Sequence, residues 1–398
     1  MAEAQHLSMD RLQIVFKIVE RCNINCTYCY YFNMGDSSAF QHPPVVSIDS
    51  AERIANWLAV GCRELQTKEL LITFHGGEPM MLKPEKFDAI CRSFTDRLGR
   101  MVNVYFSIQT NGTILTDKWL STLCKHRVNV GISIDGGRRA HDRYRLDRRG
   151  RSSFDKTEKN LITLVRAAAV SSDIMPSTIS VLDCRNNYSE IYSYIRGLGV
   201  RRMSFLLPDC SFDDGFNVTE ETARQYGEAL FQVFKAWMTE DDPGVEIRFI
   251  SEFLQNFRTR EGDQPWFEES ANKSRARQVL IVHSDGRVSV SDSYIPALSW
   301  YSNTPQCYIH DTSLRDFLTN EIFDEIELAT TTLSVKCQEC KWKSICRGGD
   351  LENRYSKENG FNNPSVYCDG YQWFFQNACK LLVENGYPAG YIERVVAN

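Results

Sequence analysis

The sequence predicts an α/β protein: a partial (β/α)6 TIM barrel followed by a smaller, cysteine-dense C-terminal unit. Three observations predict it. Short Ile- and Val-rich runs alternate with helical segments through the first 240 or so residues, the pattern of parallel βα units. The residues that carry chemistry stand directly after those runs, where such barrels place their active sites. The alternation then stops, and Cys337, Cys340, Cys346, Cys368 and Cys379 crowd the tail.

Leu12–Val19 (LQIVFKIV) reads as the first buried strand. Strand-like runs follow at Leu70–Phe74, Val102–Ile108, Val128–Ile134, Ser177–Leu182 and Met203–Leu207. Helical segments alternate with them at Asp49–Val60, Lys83–Leu98, Asp117–Lys125, Asp155–Ala169, Ser189–Leu198 and Glu220–Met238. Six units fall short of the eight of a closed barrel. After Asp241-Asp242-Pro243-Gly244 the pattern changes, and Val279–Val290 reads as a hairpin turning at Asp285-Gly286. The expected division is a barrel over 1–245, a bridging region with the hairpin over 246–335, and a cysteine domain over 336–398.

Composition narrows the function classes. A net charge of −5 leaves no nucleic-acid footprint. No run reaches the roughly 18 apolar residues of a membrane span, and MAEAQHLSMDRLQIVFKIVE is not a signal peptide. The fourteen cysteines are therefore expected in the cytoplasm, where clustered thiols point to metal or redox chemistry. A monomer is expected.

Cys22, Cys26 and Cys29 are spaced C-x3-C-x2-C directly after the first strand. Iron–sulfur cubanes are held by cysteine thiolates, normally four. Three would ligate three irons and leave the fourth open to chelate a substrate or cofactor. Tyr28, inside the triplet, would cover the cluster or pack on a bound adenine. The competing readings are three core thiols or a structural zinc, whose ligands usually arrive as C-x2-4-C pairs.

This triplet, with its aromatic at Tyr28, resembles the signature of the radical S-adenosylmethionine superfamily. The resemblance implies that the open iron binds the amino and carboxylate groups of S-adenosylmethionine. One electron from the cluster then releases methionine and a 5′-deoxyadenosyl radical. Gly76-Gly77-Glu78-Pro79 resembles the family's GGEP motif, whose glycines let backbone carbonyls approach the methionine ammonium. By the same resemblance Gln109, Asn111, Ser133 and Asp135 contact ribose or carboxylate, although any one of them would equally cap a turn. Arg145, with Arg143, would pair with the carboxylate.

Cys337-x2-Cys340-x5-Cys346, then Cys368, resembles the SPASM-like extension of radical peptide-modifying enzymes and implies one auxiliary [4Fe–4S] cluster, with zinc as the competing reading. A second auxiliary cluster would need cysteines where this chain has Ser291 and Asp350, and a third in a region holding only Ser274. Asp292 follows the first of these positions. The resemblance to sulfatase-maturing relatives makes it the first candidate for a catalytic base, with Asp350 as rival.

Cys29-Tyr30-Tyr31-Phe32-Asn33, His42-Pro43-Pro44 and the stretch from Asn353 to Cys368 look like peptide maturases that build cyclophanes, particularly the Xye type. That likeness implies a ribosomal precursor peptide, leader plus core, as substrate. Its side-chain β-carbon would be bonded to an aromatic ring. Thioether or formylglycine formation on the same machinery is the alternative, and a non-enzymatic iron–sulfur or zinc protein is the alternative of another class. An electron donor such as a flavodoxin or ferredoxin is implied. Only 21 residues precede Cys22, so leader recognition is expected on another surface or on a separate leader-binding protein.

Overall fold

The computed structural model of the chain describes residues 8–214, 216, 218–257 and 275–397. Ser274 lies outside the described residues. The six expected strands are β1 (Arg11–Val19), β2 (Glu69–Gly76), β3 (Asn103–Thr110), β4 (Asn129–Ser133), β5 (Pro176–Val181) and β6 (Arg202–Leu206). All pair in parallel in sequence order. The crossover helices, from Ile48–Glu64 to Glu220–Glu240, lie within a few residues of the expected spans.

The sheet is wider than the sequence suggested. It has ten strands in the order β10-β9-β8-β1-β2-β3-β4-β5-β6-β7. A two-residue β7 (Glu246–Ile247) extends it beyond β6. The expected hairpin is β8 (Val279–Val282) and β9 (Arg287–Ser289), and β8 pairs in parallel with Gln13–Phe16 of β1. A short β10 (Cys307–Tyr308) completes the antiparallel edge on β9. The sheet thus runs across residue 245, and the hairpin belongs to it.

Strand alternation divides the two faces of the sheet. Leu12, Ile14 and Phe16 of β1, with Leu70, Ile72 and Phe74 of β2, are buried under the helices. The other parity faces the barrel interior and is polar. Gln13 Nε2 donates to Thr73 Oγ1 at 3.1 Å, Ser107 Oγ to the same oxygen at 2.9 Å, and Gln109 Nε2 to Ser133 Oγ at 2.8 Å.

Glycine sets the attachment of the C-terminal region. The helix Cys368–Glu384 crosses the helix Glu220–Glu240. A Cβ at Gly227 would lie 2.2 Å from the Gly370 carbonyl oxygen, and one at Gly370 would lie 2.1 Å from that of Ala223. Beside this crossing Phe253, Phe374 and Phe375 pack ring on ring. Among the described residues no helix is long and apolar enough to cross a membrane.

Candidate active site and thiol clusters

The loop after β1 carries Cys22, Cys26 and Cys29 across the C-terminal edge of the sheet, where β2 ends in the Gly76-Gly77 turn. Gly77 N–H donates to Val19 O at 2.7 Å and Glu78 N–H to Arg21 O at 2.9 Å. Side chains are excluded there. A Cβ at Gly77 would stand 2.2 Å from Arg21 O, and Gly76 has φ +130° with its Cβ position 2.1 Å from Val19 O. The Gly-Gly pair therefore seats the cysteine loop.

Glu78 links two turns beside the cysteine loop. It is fully buried, and its carboxylate accepts from Thr110 Oγ1 at 2.7 Å, Asn111 N at 2.7 Å and Met80 N at 2.8 Å. It ties the β2 turn to the β3 turn. Pro79 starts the short turn Pro79–Met81 that follows. Asn111 is thereby aimed at the cysteine loop, with Nδ2 3.8 Å from Cys22 Sγ and 2.8 Å from Asn23 Oδ1.

Tyr28, Asp135 and Arg145 form one cluster. Tyr28 Oη donates to Asp135 Oδ2 at 2.6 Å and accepts from Arg145 Nη1 at 2.7 Å. Asp135 also accepts from Val181 N at 3.1 Å. Burial pushes the Asp135 carboxyl up, and Arg145 opposes that push. Arg143 instead pairs with Asp183. Arg145 is buried, its Nε has no hydrogen-bond partner, and it faces Cys26.

These features test the cluster and cofactor against the residues present. Burial pushes the Cys22 thiol up to about 12 and Cys26 to about 11. Bare thiols there stay protonated, so a bound cation is what would make them thiolates. The orphaned Arg145 Nε fits an anionic group such as a carboxylate beside the cluster. The three cysteines, the Gly76-Gly77 backbone, Asn111, Ser133 and the Tyr28–Asp135–Arg145 cluster fit an iron–sulfur cluster with S-adenosylmethionine.

The second thiol set lies at the start of the helix Cys368–Glu384. Cys337, Cys340 and Cys368 are all close enough to Cys346 to disfavour its thiolate, and burial pushes Cys346 up to about 12. Arg347, Gly348 and Gly349 all have positive φ, of 52°, 88° and 73°, and turn the chain sharply after Cys346. Among the described residues no three cysteine sulfurs lie mutually within 4.8 Å.

Asp292 is buried where the hairpin leaves the sheet. Lys17 donates to Asp292 Oδ2, and Tyr30 Oη donates to the same oxygen at 3.1 Å. Lys17 also lies 3.1 Å from His75 Nδ1 and 4.2 Å from the Tyr31 ring centre. Burial pushes the Asp292 carboxyl up, but Lys17 outweighs it and holds the group below its usual range. Burial and Lys17 together drive His75 down to about 3, so it is neutral.

Sequence reasoning missed Lys17, His75, Asp209 and Glu352. Lys17 and His75 share the inward parity of Gln13 and Thr73, which strand alternation could have revealed. Asp209 and Glu352 carry no local signal. Asp209, Asp350 and Glu352 lie close enough that Asp350 raises both Asp209 and Glu352, and Asp209 raises Glu352. Burial, then Asp350 and Asp292, lift Asp209 to about 7.

A sheet of this order with three thiols at the end of β1 defines a partial barrel of the radical S-adenosylmethionine type with a SPASM-like extension. Residues 16–177 match the family model described as the Radical SAM superfamily. Among curated proteins it is 25% identical over 371 residues to the cysteine-type anaerobic sulfatase-maturating enzyme of Clostridium novyi, covering 90% of this chain and 93% of that one. It is 27% identical over 384 residues to the serine-type enzyme of Bacteroides thetaiotaomicron, covering 91% and 87%. The solved structure described as native anSMEcpe with bound AdoMet superposes with a TM-score of 0.77 at 21% identity, covering 94% of this chain and 98% of that one. Streptococcus suis SuiB bound to precursor peptide SuiA superposes with a TM-score of 0.62 at 14% identity, covering 92% and 77%.

Proposed function

We propose that this chain is a peptide-modifying maturase that removes hydrogen from a side-chain β-carbon of a ribosomal precursor peptide and links that carbon to an aromatic ring. The observation that carries the reading is the placement of Asp292, whose carboxylate accepts from Tyr30 of the cysteine loop and lies close enough to Asp209 to raise it. When bound, the cluster with S-adenosylmethionine supplies a 5′-deoxyadenosyl radical. Arg145 and Asn111 hold the cofactor's methionine end. Tyr28 and Asp135 close over the thiol loop. After the β-carbon radical adds to the ring, one electron and one proton must leave. Asp292 takes the proton, and Cys337, Cys340, Cys346 and Cys368 would hold one auxiliary cluster able to take up the electron. Two clusters per chain follow from Ser291 and Asp350 standing in ligand positions.

Formylglycine formation is the second reading. It is favoured by full-length likeness to sulfatase-maturating enzymes of both cysteine and serine type. The test is anaerobic reconstitution with S-adenosylmethionine and a reductant, read as 5′-deoxyadenosine. Two peptides are then compared by mass spectrometry: one encoded beside the gene with an aromatic residue in its core, and one carrying the target Cys or Ser of a sulfatase. Loss of two hydrogens, with fragmentation blocked across the core, supports the crosslink. An aldehyde on the sulfatase peptide alone selects the second reading. A protein that forms no 5′-deoxyadenosine removes both.

A further inference from the structure

Glu20, His42 and His283 come from three separated segments: the end of β1, the loop before the helix Ile48–Glu64, and the end of β8. They are 0%, 2% and 5% exposed. One ligand atom from each lies within 4.8 Å of the other two. The imidazoles stack at 4.0 Å with an 8° angle between their planes. His283 Nδ1 is 3.1 Å from Glu20 Oε1, and Tyr31 Oη donates to Glu20 Oε2. None of these groups belongs to either thiol set.

The unexplained atom is His42 Nε2, which is buried without a hydrogen-bond partner. His42 Nδ1 lies 3.0 Å from Asp285 Oδ2 and 3.3 Å from Arg287 Nη2. Either tautomer leaves Nε2 unpaired. The Asp285 carboxylate accepts from Nδ1–H, which leaves Nε2 as a bare lone pair. A carboxylate behind the far nitrogen of an imidazole is the usual support of a metal-binding histidine. Local charge agrees. Glu20, Asp285 and Asp292 are opposed only by Lys17 and Arg287 among the residues of this network, which leaves an excess of negative charge.

We infer that Glu20, His42 and His283 bind one divalent first-row cation, at a mononuclear site distinct from the thiol clusters. Two imidazoles and a carboxylate suit zinc, iron(II) or manganese. Parallel rings do not aim both lone pairs at one point, so binding turns one imidazole out of the stack. The ion would clamp the end of β1, two residues before Cys22, to the hairpin that leads into Asp292. Its role is to position the hairpin rather than to react.

The experiment uses anaerobically prepared, cluster-loaded full-length protein. It is dialysed against zinc, then against metal-free buffer, and analysed for zinc, iron and sulfide together. The expected result is about one zinc per chain beyond the cluster iron, lost in His42→Asn and His283→Asn, with affinity lowered about 10–100-fold in Asp285→Asn. Cobalt replaces zinc in a parallel sample. Ligation by nitrogen and oxygen without a thiolate-to-cobalt charge-transfer band supports the site, and this reading needs no variant to fold. Wild-type protein that retains no zinc or cobalt means a hydrogen-bonded cluster only and overturns the inference. So does a thiolate band, or retention undiminished by both histidine substitutions.

Discussion

Lys17 is fully buried inside the barrel and its carboxylate partner is Asp292. Removing one partner of such a pair strands a charge, at a cost of about 3–5 kcal/mol. Lys17→Met should lose about that much stability in chemical denaturation, and adding Asp292→Asn should recover part of it. The Asp292 carboxyl lies below its ordinary value of 3.8. The pair therefore stabilises the fold above about pH 4 and loses that contribution as pH falls through the lowered value. Asp292→Asn alone keeps the shape and removes the proposed base, at a stability cost of about the same size because Lys17 loses its counter-charge. It should still cleave S-adenosylmethionine and abstract hydrogen, yet form crosslink about 10²–10⁴-fold more slowly. Asp350→Asn is the control, and a wild-type crosslinking rate in Asp292→Asn with a slow Asp350→Asn would exchange their roles. Asp209 behaves oppositely. Its carboxyl is raised from 3.8 to about 7, so the folded state keeps a proton that the unfolded chain has lost between those values. Stability from this group falls as pH rises across that window and is level above it. Asp209→Asn should raise the melting temperature more at about pH 8 than at about pH 4. A shift equal at both pH values would show that Asp209 ionises normally.

The turn after β2 does more than its sequence advertises. Gly77 admits the Arg21–Cys22 backbone to within 2.2 Å of where a Cβ would stand, and neither strand can yield without losing its ladder. Gly77→Ala should therefore unseat the cysteine loop. Iron at the first site should fall while iron at the C-terminal thiols stays, with the difference read as roughly half the total iron lost. Full iron retention in Gly77→Ala would show that the loop has another seat. The strands and crossover helices were legible because each carries its own period, two for the strands and near 3.6 for the helices. The place of the hairpin was not. Residues 279–282 pair with 13–16 across more than 260 positions, and nothing local encodes that partner. β7 and β10, with two residues each, are too short to show a period. The cysteines were legible because their spacing is chemical. Lys17, Asp209 and Glu352 were not, because a single charged residue looks alike on a surface and in a cleft until the fold closes over it. Glu78 was found by motif, but its hydrogen bonds to Thr110, Asn111 and Met80 were not legible, since sequence does not say which way a buried carboxylate faces.

At the scale of the molecule, the residues that stand where further cluster ligands would be needed bear on how many clusters the chain holds. Ser291 caps the short turn that starts at Asp292, accepting from Ser293 N. Asp350 lies in an acidic cluster with Asp209 and Glu352, and Arg248 opposes the push of burial on its carboxyl. Carboxylates and a capping hydroxyl occupy the places where a second auxiliary cluster would need soft thiolates. Cys307 cannot compensate alone, because it sits in β10 opposite Val288 and a cluster normally needs four thiolates. The expected content is two [4Fe–4S] clusters, about eight irons and eight sulfides per chain. Replacing Cys22, Cys26 and Cys29 together by Ala should leave about four irons and abolish 5′-deoxyadenosine formation. Replacing Cys337 and Cys340 should also leave about four, but those irons should keep the spectroscopic change on adding S-adenosylmethionine that marks a cluster with an open iron. The two sites are thus separated by ligand response as well as by count. A wild-type value near twelve irons would mean that Cys307 and residues outside those described complete a third cluster, and the Asp209–Asp350–Glu352 carboxylates would then have to be read as its surroundings rather than its replacement.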